Sequence, residues 1–213
     1  MATMKILAIN GSYHKDGTIN TLMDRAIAGI QSVIPEAEVE KIHLIDKRIE
    51  YCKGCMVCHN DDPEKAIATC VIDDDMQEIY RQLDEADGYI FGNPIFMGTV
   101  TGLMKTFCER FCWVLSKPGR WPIKGCPSPR TQRKKAAIVI MSTGIISPWL
   151  RKFCDDATKF FRSCIPCILN AKITGTLFAG SVGMNNPRSD RYFSKATSLG
   201  NKLGQVLLRL QEQ

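Results

Sequence analysis

The chain has 213 residues, of which 45% are hydrophobic and 23% charged, with a formal net charge of +6 at pH 7. These values predict one soluble domain spanning residues 1–213 and argue against two full-sized domains. No apolar run approaches the ~20 residues of a membrane-spanning helix. No RNA-binding aromatic motif or zinc-finger spacing indicates a nucleic-acid partner. The N-terminus lacks the parts of a secretory signal, so we expect a cytoplasmic protein.

Strand patterns alternate with helix patterns in the first half of the chain. Apolar strands are predicted at 4–10 and 38–45, and the second alternates enough to be a sheet edge. Between them, a helix starting at Thr18 carries apolar residues at spacings of three and four. Aspartates at 73–75 precede another helix, since carboxylates accept hydrogen bonds from its free N-terminal amides. The cysteine-rich segment at about 50–73 is therefore a long excursion between the second strand and this helix.

The second half continues the alternation. The continuous apolar strand at 88–93 is typical of the centre of a parallel sheet, and a helix is predicted to open at Thr99. A loop at about 116–134 follows, in which the basic segment 130–135 is predicted to be solvated. A strand at 135–143, a helical region at about 148–170, a strand at 173–180 and a final helix complete the chain. Five strands alternating with helices predict an α/β doubly wound fold with helices on both faces.

The cysteine spacing is the most conspicuous local feature. Cys52, Cys55 and Cys58 stand at every third position, and Cys70 follows after eleven residues. Four thiolates suit a [4Fe–4S] cluster or a zinc ion. In a chain of this size and compartment, ten cysteines indicate metal binding, redox chemistry or simple burial more than a disulfide scaffold.

The junction between the first strand and its helix reads Asn-Gly-Ser-Tyr-His-Lys-Asp-Gly-Thr-Ile-Asn, residues 10–20. It matches neither the dinucleotide fingerprint nor a Walker A loop. Hydroxyls, glycines and basic side chains directly before a helix form a good monophosphate site. A capped helix start with ordinary turn glycines is the alternative interpretation.

The motifs "INGSYHKDGTIN", "NPIFMGTVTGLMKTFCER" and "STG" occur in the same order and on the same elements as in a known family. From residue 4 to about 205 the chain resembles the flavodoxin-like NAD(P)H-dependent FMN reductases, which are related to the iron–sulfur flavoproteins. The resemblance implies a five-stranded parallel sheet of order 2-1-3-4-5. It also implies FMN beyond the carboxyl ends of the strands, at the switch point of the sheet.

The resemblance implies three flavin-binding loops and assigns no side chain to catalysis, because N5 of the flavin carries the hydride. The first loop would hold the phosphate, the second would pack against the isoalloxazine ring, and the third would border its pyrimidine end. The family more often has Arg, Asn and Tyr at positions 14, 18 and 96. The implied contact residues are Ser12, His14, Thr18, Asn20, Pro94, Ile95, Phe96, Met97, Gly98, Thr143 and Gly144.

The implied activity is hydride transfer from NAD(P)H to FMN, followed by electron transfer to a small-molecule or protein acceptor. The family places the ring at a subunit interface, so a homodimer or homotetramer is expected. The related iron–sulfur flavoproteins carry the cysteine triplet followed by a fourth cysteine after a short gap. Because the gap before Cys70 is longer, we favour free thiols or a disulfide over a [4Fe–4S] cluster. A thiol redox or metal sensor without turnover is the non-enzymatic alternative.

Overall fold

The computed structural model describes residues 3–119, 127–182 and 189–212. Two 3-10 turns, Leu44–Asp46 and Pro148–Leu150, accompany the main elements. In chain order the strands are β1 (Lys5–Asn10), β2 (Glu38–His43), β3 (Gly88–Pro94), β4 (Ser116–Pro118), β5 (Pro127–Pro129), β6 (Lys135–Ser142) and β7 (Ala171–Ala179). The helices are α1 (Thr18–Val33), α2 (Met76–Glu85), α3 (Gly102–Leu115), α4 (Arg151–Cys154), α5 (Asp156–Leu169) and α6 (Ser189–Gln211).

The main sheet has five parallel strands in the order β2-β1-β3-β6-β7. Counting only these strands, the order is 2-1-3-4-5, so the predicted flavodoxin-like fold is confirmed. β3 lies at the centre and is buried almost throughout, as its continuous apolar pattern predicts. β2 lies at an edge and alternates between exposed and less exposed positions, which the sequence also predicted.

Each face of the sheet is covered by its own helices. Helices α1 and α6 pack on one face around Leu22, Ile90 and Leu203. Helices α2, α3 and α5 pack on the other face around Phe91 and Phe107. The neighbours Ile90 and Phe91 therefore point into different cores, as the two-residue period of a strand requires. Within the described ranges, no helix has the length and apolar character needed to cross a membrane.

Three predicted boundaries are corrected by the structure. Helix α3 begins at Gly102 and not at Thr99, because Thr101 caps it and Thr99 pairs with Phe96 in a turn. The helical region predicted at 148–170 is interrupted at Asp155, whose side chain accepts the Thr158 amide and starts α5. The loop predicted at 116–134 contains the antiparallel pair β4–β5. Its residues 120–126 lie outside the described part of the chain.

The sequence predicted that the basic segment at 130–135 is solvated, but two of its side chains are buried. Arg130 is 6% exposed and Lys135 is 2% exposed. The Lys135 ammonium donates to the carbonyls of Leu83 and Asp84 at the end of α2, and to the Tyr89 hydroxyl. Both cations are accepted inside the protein because backbone carbonyls replace the water that burial removes.

Thr101 ties the ends of two central strands together. Its hydroxyl lies 2.8 Å from the Gly11 carbonyl oxygen, which follows β1, and 3.0 Å from Asn93 Oδ1 in β3. The same hydroxyl accepts the Met104 amide at 3.2 Å and so caps α3. Thr101 is 1% exposed, so these bonds have no competition from water. One side chain therefore fixes the starts of the loops that leave both strands.

Thr101→Val should lower the free energy of unfolding by about 1–3 kcal/mol, because the shape is kept while a cap and a buried hydrogen bond are lost. Denaturant unfolding measures the loss. Thr99→Val is the matched control, since Thr99 is exposed and bonds to Phe96 through its backbone. Equal stability of the two variants would contradict the role given to Thr101.

Candidate functional site

Three loops meet at the carboxyl edge of the parallel sheet. Residues 11–17 follow β1, residues 95–101 follow β3, and residues 143–147 follow β6. The chain passes from β1 outward to β2 and then returns to β3 on the other side of β1. The first two loops therefore flank the switch point of the sheet, where α/β folds of this kind bind ligands.

The first loop is held by its own polar groups. The Ser12 amide donates to Asn10 Oδ1 at 2.9 Å, and the His14 amide donates to Ser12 Oγ at 3.1 Å. Ser12 is buried while His14 is exposed. Because Ser12 Oγ accepts from inside the loop, its hydroxyl proton remains free to bond outward.

The loop leads into the N-terminus of α1. Gly17 is the N-cap, and no side chain in the described part of the protein caps the helix. The first-turn amides and the positive end of the helix dipole can therefore receive an anion. Thr18, the first helical residue, is half-buried beside them. Asn20 points elsewhere: its amide donates to Asp24 and accepts from Lys41. The structure therefore brings Ser12 and Thr18 to the helix N-terminus and engages Asn20 on the flank of α1.

The second loop is a tight hairpin. Phe96 and Thr99 exchange backbone hydrogen bonds of 3.0 and 2.9 Å. Met97 and Gly98 between them have φ of 48° and 82°, which is the pattern of a type I′ turn. A methionine in this conformation is strained, and such strain is characteristic of functional loops. The Asp156 amide donates to the Gly98 carbonyl at 2.8 Å and fixes the turn against the start of α5.

The base of the second loop is fixed to its neighbouring strand. The Ile95 amide donates to the Ser142 carbonyl at 2.7 Å, and Pro94 closes β3 in register with Ser142. In the third loop, Thr143 is buried and its hydroxyl accepts the Ile146 amide at 3.4 Å. At Gly144 an added Cβ atom would meet no atom of the described residues within 4 Å, apart from its own chain neighbours. Gly144 is therefore the open position of this loop, and Thr143 is its anchor.

Large apolar side chains are exposed around these loops. Tyr13 and Phe96 pack edge to face with ring centroids 5.6 Å apart, which brings the first two loops into contact. Both rings are about half exposed, and Met97 is fully exposed. Also exposed are Ile145 in the third loop, Trp149 just after it and Phe153 on α4. An exposed apolar surface of this kind is typical of a ligand or protein contact.

Sequence reasoning missed the residues that support the site. Asn10 and Asn93 are both 0% exposed and end their apolar strands with a buried amide. Asn10 holds the Ser12 amide, while Asn93 accepts from Thr101 and donates to the Pro94 carbonyl. The sequence signal that could have identified both residues is an asparagine at the end of a continuous apolar run. Tyr13 was also missed as part of the aromatic surface.

The cysteine excursion has no helix or strand between Asp46 and Met76. Two buried arginines hold it instead. The guanidinium of Arg130 donates to the carbonyls of Cys58, Asp62 and Lys65, and to that of Ser116 at the start of β4. These bonds attach the middle of the excursion to the β4–β5 pair. A single side chain thus replaces the regular backbone pairing that the segment lacks.

Arg110 on α3 holds both ends of the excursion. Its guanidinium forms a two-point ion pair with Asp74 and donates to the Glu50 carbonyl at 2.8 Å. Asp74 in turn accepts the amides of Glu50 and Met76. Burial raises the pKa of Asp74, but the hydrogen bonds from Arg110 and the two amides outweigh it and leave the pKa below its usual value. Arg110 and Asp74 therefore form their ion pair in the interior of the protein.

The four cysteines of the motif line one cavity of about 290 Å³. Cys52 and Cys55 are exposed, whereas Cys58 and Cys70 are half-buried. Burial, followed by the nearby Cys70 and Cys52 sulfurs, raises the pKa of Cys58. Cys112 on α3 also lines the cavity, and burial raises its pKa to about 11. Cys58 and Cys112 are therefore protonated at neutral pH in the absence of a ligand.

The thiols share a cavity, but their sulfur atoms do not converge on one point as the ligands of a single metal ion would. Among the described residues, no group of three or more His, Cys, Asp or Glu side chains is placed to hold a metal ion. A zinc ion would need its sulfurs at about 2.3 Å from one point. The geometry therefore does not support a preformed zinc site at Cys52, Cys55, Cys58 and Cys70.

The part of the sequence that contains the three loops is similar to known proteins. The profile of the family described as NADPH-dependent FMN reductase matches residues 4–147. An iron–sulfur flavoprotein of Archaeoglobus fulgidus is 37% identical over 107 residues, which cover 50% of this chain and 45% of that protein. An NAD(P)H-dependent FAD/FMN reductase of Geobacillus thermodenitrificans is 28% identical over 107 residues, covering 50% of each. The chain thus spans about half the length of the curated relatives that it matches.

Solved structures share the fold at low sequence identity. A flavone reductase superposes with a TM-score of 0.67 at 20% identity, covering 98% of this chain and 64% of that chain. An azoreductase of Bacillus anthracis superposes with a TM-score of 0.65 at 15% identity, covering 94% and 100%. At these identities the likeness concerns the fold alone. The profile match covers most of the chain and includes all three loops, so the chain belongs to the NADPH-dependent FMN reductase family.

Proposed function

We propose that this protein is an FMN-dependent oxidoreductase that takes hydride from NAD(P)H and passes electrons to a small-molecule or protein acceptor. The observation that carries the proposal is the pairing of two features at the switch point of the sheet. The uncapped N-terminus of α1 lies on the side of the first loop, and the aromatic contact between Tyr13 and Phe96 joins this loop to the second. When bound, FMN would supply the hydride-accepting atom. Membership of the NADPH-dependent FMN reductase family supports the same chemistry.

The residues present fit the phosphate of FMN. Ser12 and Thr18 offer hydroxyls next to the free amides of the first helical turn, and His14 is exposed above them. The Lys15 ammonium pairs with Asp46 at 3.0 Å, so the helix dipole remains as a nearby source of positive potential in this loop. The His14 ring can add an N–H donor. Asn20 joins the phosphate contacts only if it leaves Asp24 and Lys41.

The second and third loops fit a flat aromatic ring. Pro94, Ile95, Phe96, Met97 and Gly98 form a wall whose turn is fixed by backbone bonds, so little order remains to be imposed on binding. Gly144 leaves open space beside this wall, and Thr143 holds the third loop in place. These residues would orient the ring and limit its contact with water, while the chemistry belongs to the cofactor.

We propose that a second copy of the chain covers the isoalloxazine ring of the bound flavin. Tyr13, Phe96, Met97, Trp149 and Phe153 leave an exposed apolar surface at the carboxyl edge of the sheet. Such a surface is costly in water and is typical of a subunit contact. A homodimer, or a pair of dimers, would bury it together with the flavin.

The second candidate function is electron transfer through a [4Fe–4S] cluster on Cys52, Cys55, Cys58 and Cys70. The observation in its favour is that all four cysteines line one cavity despite the long gap in sequence. Six matched relatives are named iron–sulfur flavoproteins. In a [4Fe–4S] cluster each thiolate binds a different iron atom, so the four sulfurs need not converge on one point.

Replacing both loop hydroxyls should weaken FMN binding. For Ser12→Ala with Thr18→Ala, we expect a loss of about tenfold or more, since two hydrogen bonds to phosphate of about 1–1.5 kcal/mol each are removed. Fluorescence titration of the apoprotein with FMN measures the affinity. Ser163→Ala, an exposed hydroxyl on α5, is the control. Unchanged affinity in the double variant would place the phosphate elsewhere.

Absorption of protein purified without oxygen separates the candidate functions. We expect the two visible bands of oxidised flavin, bleached by NADH or NADPH. A broad additional absorption with bound iron and sulfide, lost in Cys70→Ser but kept in Cys154→Ser, would add the cluster. No flavin bands, and no binding of added FMN, would contradict both redox proposals and leave the thiol sensor.

Removing exposed rings should weaken self-association. For Trp149→Ser with Phe153→Ser, we expect sedimentation velocity to shift toward the monomer, because the buried apolar area at the contact falls. Val71→Ser, an exposed apolar residue of the excursion, is the control. A wild-type protein that sediments as a monomer when loaded with FMN would contradict the proposed cover.

A further inference from the structure

The eleven residues between Cys58 and Cys70 raise a question of placement. No helix or strand pairing carries the chain across this gap, yet Cys70 reaches the cavity lined by the other three cysteines. A tertiary contact must therefore hold Cys70 in position. Gln77 on α2 donates to the Cys70 carbonyl at 3.2 Å, and the Ala68 amide donates to the Val114 carbonyl on α3 at 2.9 Å. The contact to the sulfur itself comes from Arg110 on α3, whose Nη2 lies 3.6 Å from Cys70 Sγ.

Arg110 is a buried cation in the wall of the cavity. It is 3% exposed, and the side chain of its partner Asp74 is fully buried. Nη1 and Nη2 are used by Asp74, Glu50 and Cys70. This arrangement links both ends of the excursion and its last cysteine to one rigid helix. A lysine lacks the fork that makes these contacts together.

One donor of Arg110 remains unused. Nε is buried and has no hydrogen-bond partner within the described residues. A buried donor without an acceptor costs about 1–3 kcal/mol, so native proteins rarely leave one unpaired unless a ligand or water completes it. Because Arg110 lines the thiol cavity, an anionic sulfur-rich group bound there is an acceptor of suitable chemistry.

We propose that Arg110 is a positioning residue for an anionic iron–sulfur group in the thiol cavity. It holds Cys70 opposite Cys52, Cys55 and Cys58, and it places a fixed positive charge and a free N–H beside the group. The inference rests on the second candidate function for the identity of the group. The hold on Cys70 stands on the geometry of the chain alone and is tested separately.

The charge has a predictable effect on the redox potential. A cluster with four thiolate ligands is anionic, and reduction adds a further negative charge. A buried cation favours the more negative form, so Arg110 raises the potential, while Asp74 lowers it. Removing each member of the pair should therefore shift the potential in opposite directions.

The first experiment reconstitutes variants with ferrous iron and sulfide under anaerobic conditions. It measures iron content, sulfide content and the reduction potential by optical titration. For Arg110→Met we expect about half the wild-type iron content or less, and a more negative potential in the loaded fraction. For Asp74→Asn we expect a more positive potential. Arg110→Lys should keep the potential near that of wild type while retaining less iron.

Arg130→Met is the matched control. It loosens the excursion through Cys58 and Lys65 while Arg110 and Asp74 keep their charges in the cavity wall. We expect it to lose iron with a smaller shift in potential than Arg110→Met. FMN titration of every variant verifies folding, because none of these residues belongs to the flavin loops. Wild-type iron content and wild-type potential in Arg110→Met would overturn the proposal.

The second experiment uses the protein without iron and tests the hold on Cys70 directly. Iodoacetamide labelling followed by peptide mass spectrometry measures the rate at each cysteine. Arg110→Met and Arg110→Lys should label Cys70 about fivefold faster or more, because its segment opens locally more often. Arg130→Met should accelerate Cys58 more than Cys70. Labelling of Cys70 at the wild-type rate in both Arg110 variants would overturn its positioning role.

The two experiments separate two failures. If the wild-type protein binds no iron but Cys70 is labelled faster in the Arg110 variants, the cluster is excluded and the positioning role of Arg110 stands. If all variants bind iron as well as the wild-type protein, the cluster stands and the positioning role of Arg110 is excluded.

Discussion

The common direction of the five sheet strands is the constraint on which the candidate site depends. Because all five strands are parallel, the loops after β1, β3 and β6 emerge at one edge. Thr101 then removes freedom within that edge, since its hydroxyl contacts the first loop, Asn93 and the start of α3. The site is therefore pre-organised by bonds to the backbone before any ligand is present, which reduces the ordering that binding must impose.

The cysteine excursion follows a different principle. It has no helix or strand of its own, and Arg110 and Arg130 hold its backbone carbonyls from the adjoining elements. A buried arginine is costly unless most of its donors are hydrogen-bonded, so each of these two arginines specifies a particular arrangement of the chain. The excursion is consequently a defined cradle for its thiols and not a loose surface loop.

The sequence predicted the parts of the structure that periodicity controls. The strands, their order by resemblance, the edge position of β2 and the helix from Thr18 all follow from apolar spacing and family motifs. It did not predict the contacts that join distant segments. Arg130 and Lys135 look like members of a solvated basic run, and their burial depends on carbonyls more than fifty residues away. Spacing alone also placed the start of α3 at Thr99, because the cap at Thr101 is recognised only once the turn at Met97 is known.

Helix α3 connects the two candidate sites physically. Its N-terminus is fixed by Thr101 to the loops at the switch point, while Glu109, Arg110, Cys112 and Trp113 line the thiol cavity further along. The nine residues from Thr101 to Arg110 correspond to a rise of about 14 Å along the helix axis. The helix is buried on most of its length and cannot bend without disturbing Phe107 and Phe111 in the core. Any group held by the cysteines therefore lies at a fixed distance from the flavin loops, whichever of the two redox proposals describes the protein.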